Sequence, residues 1–431
     1  MGLLTETNKF DHGAGCKGDA LGVVGNIFLV AYDRFEPAKW YLEQLEANSD
    51  ASPFQDRRFV EALISSGTMF ASPEPSAAMR HLFVVGFEKS RPVVIFPFEI
   101  RRGLLASRLS WIGDRICDYN GAIAAGGFWA RAPRNLLPVL LGRIAAAYPE
   151  IDLAHLIRNP LNHPNLPGNM AGLENMIAAE YCAHAVALER DWKSFYARLR
   201  SKDTRRRFRN KLLALRKTGE VRFRRIRKAE ERVDCANRIM DWKSRQLRGG
   251  GDRDPFGPHG GNSQLRQTVL NAVAGDDRRV DVFCLTLDGA PIAGVIGLVT
   301  RDAFHLWMTA YDGELRGNYS AGTILLIKLL ELSARGGRKH FDFLIGDEPY
   351  KQEWCDLRIE LGHYIRPLTA KGKLVCMAET LKLKAKKRLL QSPRAMEAIR
   401  TFRRAVVACG SSEVPASYGE ARLLRPTLKG S

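Results

Sequence analysis

Apolar and polar positions alternate along much of the chain in short runs, and the runs fall into a repeating order. The segment "NIFLVAYD" predicts a strand and "PAKWYLEQLEA" a helix behind it; "HLFVVGFEKSRPVVIFPFEIRRG" then holds two apolar runs around a charged turn, the pattern of a hairpin. "SRLSWIG", a helix over about 132–148 and the strand "IDLAHLI" complete the set. Strand, helix, hairpin, strand, helix, strand is a mixed α/β order.

Past residue 192 the order runs again. An arginine-rich helical stretch, "SFYARLRSKDTRRRFRNKLLALRKTG", precedes the strand "EVRFRRI" and the helix "AEERVDCANRIMDWKSRQL". "RGGGDRDPFGPHGGNS" reads as a loop. After another helix, "DVFCLTLDGAPIAGVIGLVTRDAFHLWMTAYD" carries three apolar runs separated by "DG" and "RDA" turns, an antiparallel meander. The helix "AGTILLIKLLELSARGG" and a last strand close the unit. "VVGFEKSRPVVIFPFE" and "CLTLDGAPIAGVIGLV" hold equivalent places, so the chain is read as an internal duplication: units at 20–192 and 193–375, with an extension at 376–431.

The closing strand raises a chemical question, because "FDFLIGDEPYKQEW" starts as a core strand and stops in three acids, a tyrosine and a lysine. Just before it, the helix that begins near Ser320 opens on Ser320, Ala321 and Gly322, whose small side chains leave backbone N–H groups uncovered at the positive end of the helix dipole, where a phosphate docks. Arg316 adds a charge there. If "HLWMTAY" and "FDFLIG" lie parallel with this helix as their crossover, the anion site and the polar strand end border one groove suited to a long thioester chain.

These stretches, with "SKDTRRRFRNKLLALRKTGE", "CLTLDGAPIAGVIGL" and the earlier "SWIGDRICDYNG", resemble the acetyltransferase domain of the bacterial cellulose-biosynthesis CelD/BcsL-like proteins, a branch of the GNAT acyltransferase superfamily, over about residues 25–375. The resemblance implies tandem GNAT-like units with mixed sheets. It also implies direct acyl transfer from acyl-CoA or an acyl carrier protein to an amine or hydroxyl acceptor, in polysaccharide or envelope biosynthesis. The double-unit layout resembles the peptidoglycan-bridge Fem transferases as well. Arg316, Gly317, Asn318, Tyr319, Ser320, Ala321 and Gly322 occupy the position of the superfamily's pyrophosphate loop, although they depart from its compact glycine-rich form.

Within that frame Asp347 or Glu348 takes the acceptor's proton; neighbours in an extended segment point opposite ways, so one of them faces the acceptor. Tyr350 protonates the departing thiolate or orients the acceptor, Lys351 binds an acidic group and Trp354 forms an aromatic wall. Asp342 either joins the chemistry or anchors a neighbouring backbone or arginine. Asp118, Tyr119 and Asn120 shape the acceptor side from the first unit. The plain alternative makes Asp347 a turn or helix cap, Pro349 a first helical residue, Lys351 a surface residue and Asp118–Gly121 an ordinary turn.

Charge and composition narrow the partners. The net charge of +19 is concentrated: fifteen Lys or Arg stand against Asp203 and Glu220 between Arg198 and Lys228, and twelve against three acids from Leu381 to Ser431. Such surfaces attract acidic carrier proteins, phosphates, anionic lipid or nucleic acid. A nucleic-acid role built on Arg205, Arg206, Arg207, Arg209 and Lys211 lacks any zinc-finger, RRM or zipper pattern, and the competing reading is a solvated face. A silent scaffold is the remaining alternative. The basic tail "LKLKAKKRLLQSPRAMEAIRTFRRAVV" suits reversible contact with an anionic membrane surface. Eight scattered cysteines, no metal-ligand spacing and no spanning apolar run point to a cytoplasmic protein, at most peripheral at the inner membrane, that needs no metal.

Overall fold

In the computed structural model the described residues are 9–10, 18–46, 49–69, 79–164, 166, 173–250, 252, 254–256, 263–275, 279–314, 319–390 and 392–408. They form two units: residues 1–180 with 360–389, and 181–359 with 390–431. The boundaries read from sequence, 192/193 and 375/376, run differently because each sheet takes one strand from an unexpected stretch of chain. The strand Leu361–Pro367 pairs antiparallel with Leu153–Pro160 in the first sheet, and Ala183–Ala187 pairs antiparallel with His340–Ile345 in the second.

The first unit is built on an 11-stranded sheet. Its hairpin Met79–Glu88 and Arg91–Arg102 is nearly continuous in apolar residues because both faces are covered, and Phe96, Phe98, Trp111 and Leu140 lie in its core. The helix Ala370–Leu390, read as the start of an extension, belongs to this unit: Cys376 is buried against Ala106 and Leu153, Arg108 Nη2 lies 2.8 Å from Glu379 Oε1, and Lys386 Nζ donates to Glu180 Oε1 at 2.7 Å.

The second unit holds a 7-stranded sheet. Val280–Leu287, Ala290–Val299 and Ala303–Tyr311 form the expected antiparallel meander, and Ala303–Tyr311 runs parallel to His340–Ile345 with the helix Ala321–Arg335 as crossover. Phe283, Phe304, Phe341, Phe343 and Leu329 pack in the core beneath that helix. The arginine-rich stretch forms the helix Lys202–Thr218. Ser201 caps it by accepting the Thr204 N–H at 3.2 Å, Asp203 stands in its first turn and Arg216 and Lys217 in its last, in agreement with the dipole.

The two hairpins placed as equivalents share more than position. In each, a two-residue turn joins the strands, the register slips once, and a proline lies beside the slip: Gly86 pairs with Val94 and Phe87 with Pro92, as Leu285 pairs with Ala293 and Thr286 with Pro291. A bulge is one of the few places where a sheet accepts a residue lacking an N–H.

Candidate active site

The parallel ladder of the second unit is three residue pairs long and ends at His305–Asp342. Beyond that pair the strand Ala303–Tyr311 runs on to residue 311 with no partner on that edge among the described residues. The vertex of this fork is clamped by polar groups. Asp342 is fully buried; its Oδ2 lies 3.1 Å from His305 Nδ1 and its Oδ1 accepts the Leu344 N–H at 2.7 Å. Both carboxylate oxygens are thus engaged inside the protein.

Leu344 itself has φ +60, a left-handed conformation costly for leucine. It lies in a bulge: Ala183 pairs with Ile345 and Ala185 with Asp342, so three steps on the motif strand oppose two on its neighbour. The bulge turns the chain into Gly346, at φ +130, where a Cβ would run into the Glu348 carboxylate. Glu348 is therefore folded back. Its Oε2 forms a 3.0 Å ion pair with Lys351 Nζ, which also donates to the carbonyls of Leu344 (3.3 Å) and Ile345 (2.7 Å). Lys351 is as buried as Glu348, and its three donors tie down the end of the strand. Pro349 opens the short helix Pro349–Gln352 with Glu348 at its N-cap.

The remaining acid behaves differently. The Asp347 side chain is 39% exposed, against 4% for Glu348 and 1% for Asp342, and its Oδ1 lies 2.9 Å from Nε2 of the buried His184. His184 stands opposite the bulge on Ala183–Ala187. Sequence reasoning missed it; the five-residue strand is too short for alternation to mark, and 163 positions separate the pair. Tyr350 is half-buried with its ring edge-on to Phe343 at 6.2 Å. Trp354 is buried, stacked on Tyr196 with the Arg200 guanidinium 4.0 Å from its centroid.

At the other end of the fork, Ser320 caps the crossover helix at φ +53 and makes no side-chain cap bond to it. Its hydroxyl instead accepts from Lys211 Nζ at 2.7 Å. A cavity of about 720 Å³ opens beside this helix start, lined by Tyr319 and, from the arginine-rich helix, by Asp203, Thr204, Arg206, Arg207, Asn210, Lys211 and Ala214, three cations against one acid. Burial, then the neighbouring Arg207 charge, lowers the Lys211 pKa, so an anion entering the cavity relieves a repulsion. The half-buried Ala321 and Gly322 form the first turn of the helix, and Gly322 abuts the Tyr311 ring. Arg316, Gly317 and Asn318 lie outside the described residues.

In the first unit Asp118, Tyr119 and Asn120 are all buried. Tyr119 packs edge-on against Phe54 and His163, and its carbonyl accepts from Gln55 Nε2 at 2.9 Å; the Asn120 N–H donates to the Arg158 carbonyl at 3.0 Å and its side chain to that of Ile157 at 3.1 Å.

Residues 202–352, which carry the short forked ladder and a helix start whose N-cap side chain makes no bond to it, match the model of the acetyltransferase (GNAT) domain. The second unit carries a GNAT acetyltransferase domain. That match marks an acyltransferase-class enzyme, and domains of this class use acyl-CoA. No curated protein matches the chain. Among solved structures it is similar to FemX, with 8% identity, a TM-score of 0.51 and coverage of 80% of this chain and 98% of that one, a likeness of fold. It is also similar to a tandem GNAT protein from the clavulanic acid biosynthesis pathway (14% identity, TM-score 0.40, 80% and 99% covered) and to the C-terminal domain of a putative lysylphosphatidylglycerol synthetase from Agrobacterium fabrum (12%, 0.42, 75% and 96%). Among the described residues no helix is long and apolar enough to cross a membrane, and no group of three or more His, Cys, Asp or Glu stands ready for a metal.

Proposed function

We propose that the second unit moves an acyl group from a thioester, acyl-CoA or acyl carrier protein, onto an amine or hydroxyl acceptor, with the Asp347–His184 pair as the acceptor-side base. The carrying observation is that pair: a partly exposed carboxylate held 2.9 Å from a buried imidazole at the end of the forked strand. The donor's phosphates take the start of the crossover helix, with Lys211 and Arg207 as counter-charges in place of a glycine-rich loop, and its amides take the open edge of Ala303–Tyr311. Acceptor N or O attacks the thioester carbonyl, the new C–N or C–O bond forms, the C–S bond breaks, and the acceptor's proton passes to Asp347. Tyr350, beside Phe343, supplies a proton to the departing thiolate. Asp342, Glu348 and Lys351 act as positioning residues, because their charges are spent on the vertex and the strand end.

The DEPYK motif supports kinship with the CelD/BcsL-like branch, and with it a sugar hydroxyl or amine as acceptor in polysaccharide or envelope biosynthesis. Thiol release measured with acetyl-CoA and with acyl carrier protein, over a panel of sugar and amino-acid acceptors, tests the reading. Release that persists undiminished in both D347N and H184Q refutes the assigned base; no release with any donor, from folded protein, refutes the transfer.

A further inference from the structure

We propose that the first unit docks on an anionic bilayer surface through a patch made by the hairpin tip Leu104–Leu105 and the outer face of the helix Ala370–Leu390. The inference is independent of the acyl-transfer reading. The strands Arg91–Arg102 and Ser107–Trp111 are joined by a tight turn in which the Gly103 N–H donates to the Ala106 carbonyl at 3.1 Å. Such tips ordinarily carry glycine or polar residues. Here Leu104 is fully exposed and Leu105 is 75% exposed, while the next residue, Ala106, is buried against Cys376 with Val375 beside it, which sets the tip next to the helix.

That helix is apolar on two faces. Gly372 and Cys376 face the unit; Leu374, Met377 and Leu381, at i, i+3 and i+7 and therefore on one face, are 73%, 65% and 66% exposed. Lys371, Lys373, Lys382, Lys384, Lys387 and Arg388 surround them. The helix has one acid, Glu379, and its carboxylate is taken by Arg108 (2.8 Å) and Lys382 (3.7 Å); Asp152 nearby accepts from the Ser107 N–H and Thr369 and pairs with Lys371. The charge is thus positive around an exposed apolar tip. Two projecting leucines on a hairpin tip suit a deformable lipid interface, and the lysines select anionic headgroups.

The test is co-sedimentation of the full chain with vesicles of phosphatidylglycerol and phosphatidylcholine in equal parts, against phosphatidylcholine alone. The expected result is binding to the anionic vesicles at low salt, weakened severalfold at about 0.5 M salt. L104S/L105S is expected to cut partitioning about tenfold or more, and K382E/K384E to weaken it severalfold, with melting temperature and thiol release unchanged. Three results overturn the proposal: no binding to anionic vesicles at low salt, binding that survives L104S/L105S unaltered, or lipid-free self-association abolished by L104S/L105S, which assigns the patch to a second copy of the chain.

Discussion

The two units carry the same bulge on the same strand and put a histidine opposite it, yet they use that histidine in opposite ways. In the first unit Gly362 pairs with Asn159 and Tyr364 with Leu156, so His363 faces Arg158, whose φ is +56; in the second, His184 faces Leu344 at φ +60. His363 Nδ1 accepts the Arg158 N–H at 3.1 Å, which leaves Nε2 to donate to Glu180 at 2.9 Å, and Lys386 closes the far side of that carboxylate. All three side chains are largely buried. In the second unit the equivalent bulge amide is taken by Asp342 instead, and His184 meets an aspartate that reaches solvent. One shared backbone device therefore supports a closed staple in one half and, in the other, the solvent-reaching pair that we propose as the base.

The largest effect should come from breaking the open pair. D347N keeps shape but removes the proton acceptor, so turnover is expected to fall about a hundredfold to ten-thousandfold with donor affinity nearly unchanged. Because Asp347 is partly exposed and D347N keeps its shape, stability should change by less than about 1 kcal/mol. A pre-steady-state or saturation analysis that finds the loss in donor KM instead of kcat removes Asp347 from the chemistry.

The closed pair predicts the reverse. Burial acts to raise the Glu180 pKa, but the His363 and Lys386 contacts outweigh it and hold the carboxyl well below its ordinary range. A depressed folded pKa means that Glu180 stabilises the first unit above its unfolded value near 4.5 and that this stability is lost as pH falls below it. E180Q should cost roughly 3 kcal/mol at neutral pH, with the gap to the native protein closing in acid and kcat unchanged. Denaturant titrations across pH read this directly; an equal gap at every pH assigns the loss to packing.

A smaller change is expected at the helix start. K211M removes a charge-assisted donor worth about 1.5–3 kcal/mol, so affinity for acyl-CoA should weaken about ten- to a hundredfold with kcat preserved. If phosphate-free donors such as acyl-pantetheine lose affinity by the same factor, Lys211 does not meet a phosphate.

These contrasts also mark what the sequence could disclose. The meander, the parallel crossover and the motif strand were legible because apolar runs and turn residues are local signals, and DEPYK concentrates polar residues where a strand should be bland. His184 and His363 were not, since each lies on a strand whose partner is more than 150 positions away along the chain, and the swap of those strands also displaced the expected unit boundaries. The acids were ambiguous for a related reason. Asp347 and Glu348 are neighbours of the same type, and what separates them is the Gly346 turn and a buried lysine three residues on. The arginine-rich helix looked uniformly charged, and the side of it that lines the cavity, with Thr204, Arg207, Lys211 and Ala214, appears only once it is placed beside Tyr319.

The finest distinction between the halves is in their hairpin turns. Both are two-residue turns with positive φ at the two central positions, Lys89 (+45) and Ser90 (+65) in the first unit, Asp288 (+50) and Gly289 (+83) in the second. Such turns follow the twist of the strands but force side-chain-bearing residues into the left-handed region, which Asp-Gly accepts readily and Lys-Ser does not. The first unit therefore carries strain that the second avoids. K89N/S90G should stabilise the first unit by about 1 kcal/mol, and G289S should destabilise the second by a similar amount, neither touching turnover. Thermal melts of the two variants measure this pair of opposite shifts. If K89N/S90G leaves the melting temperature in place while G289S lowers it, contacts made by Lys89 or Ser90 offset the backbone cost, and the difference between the hairpins is one of packing and not of turn chemistry.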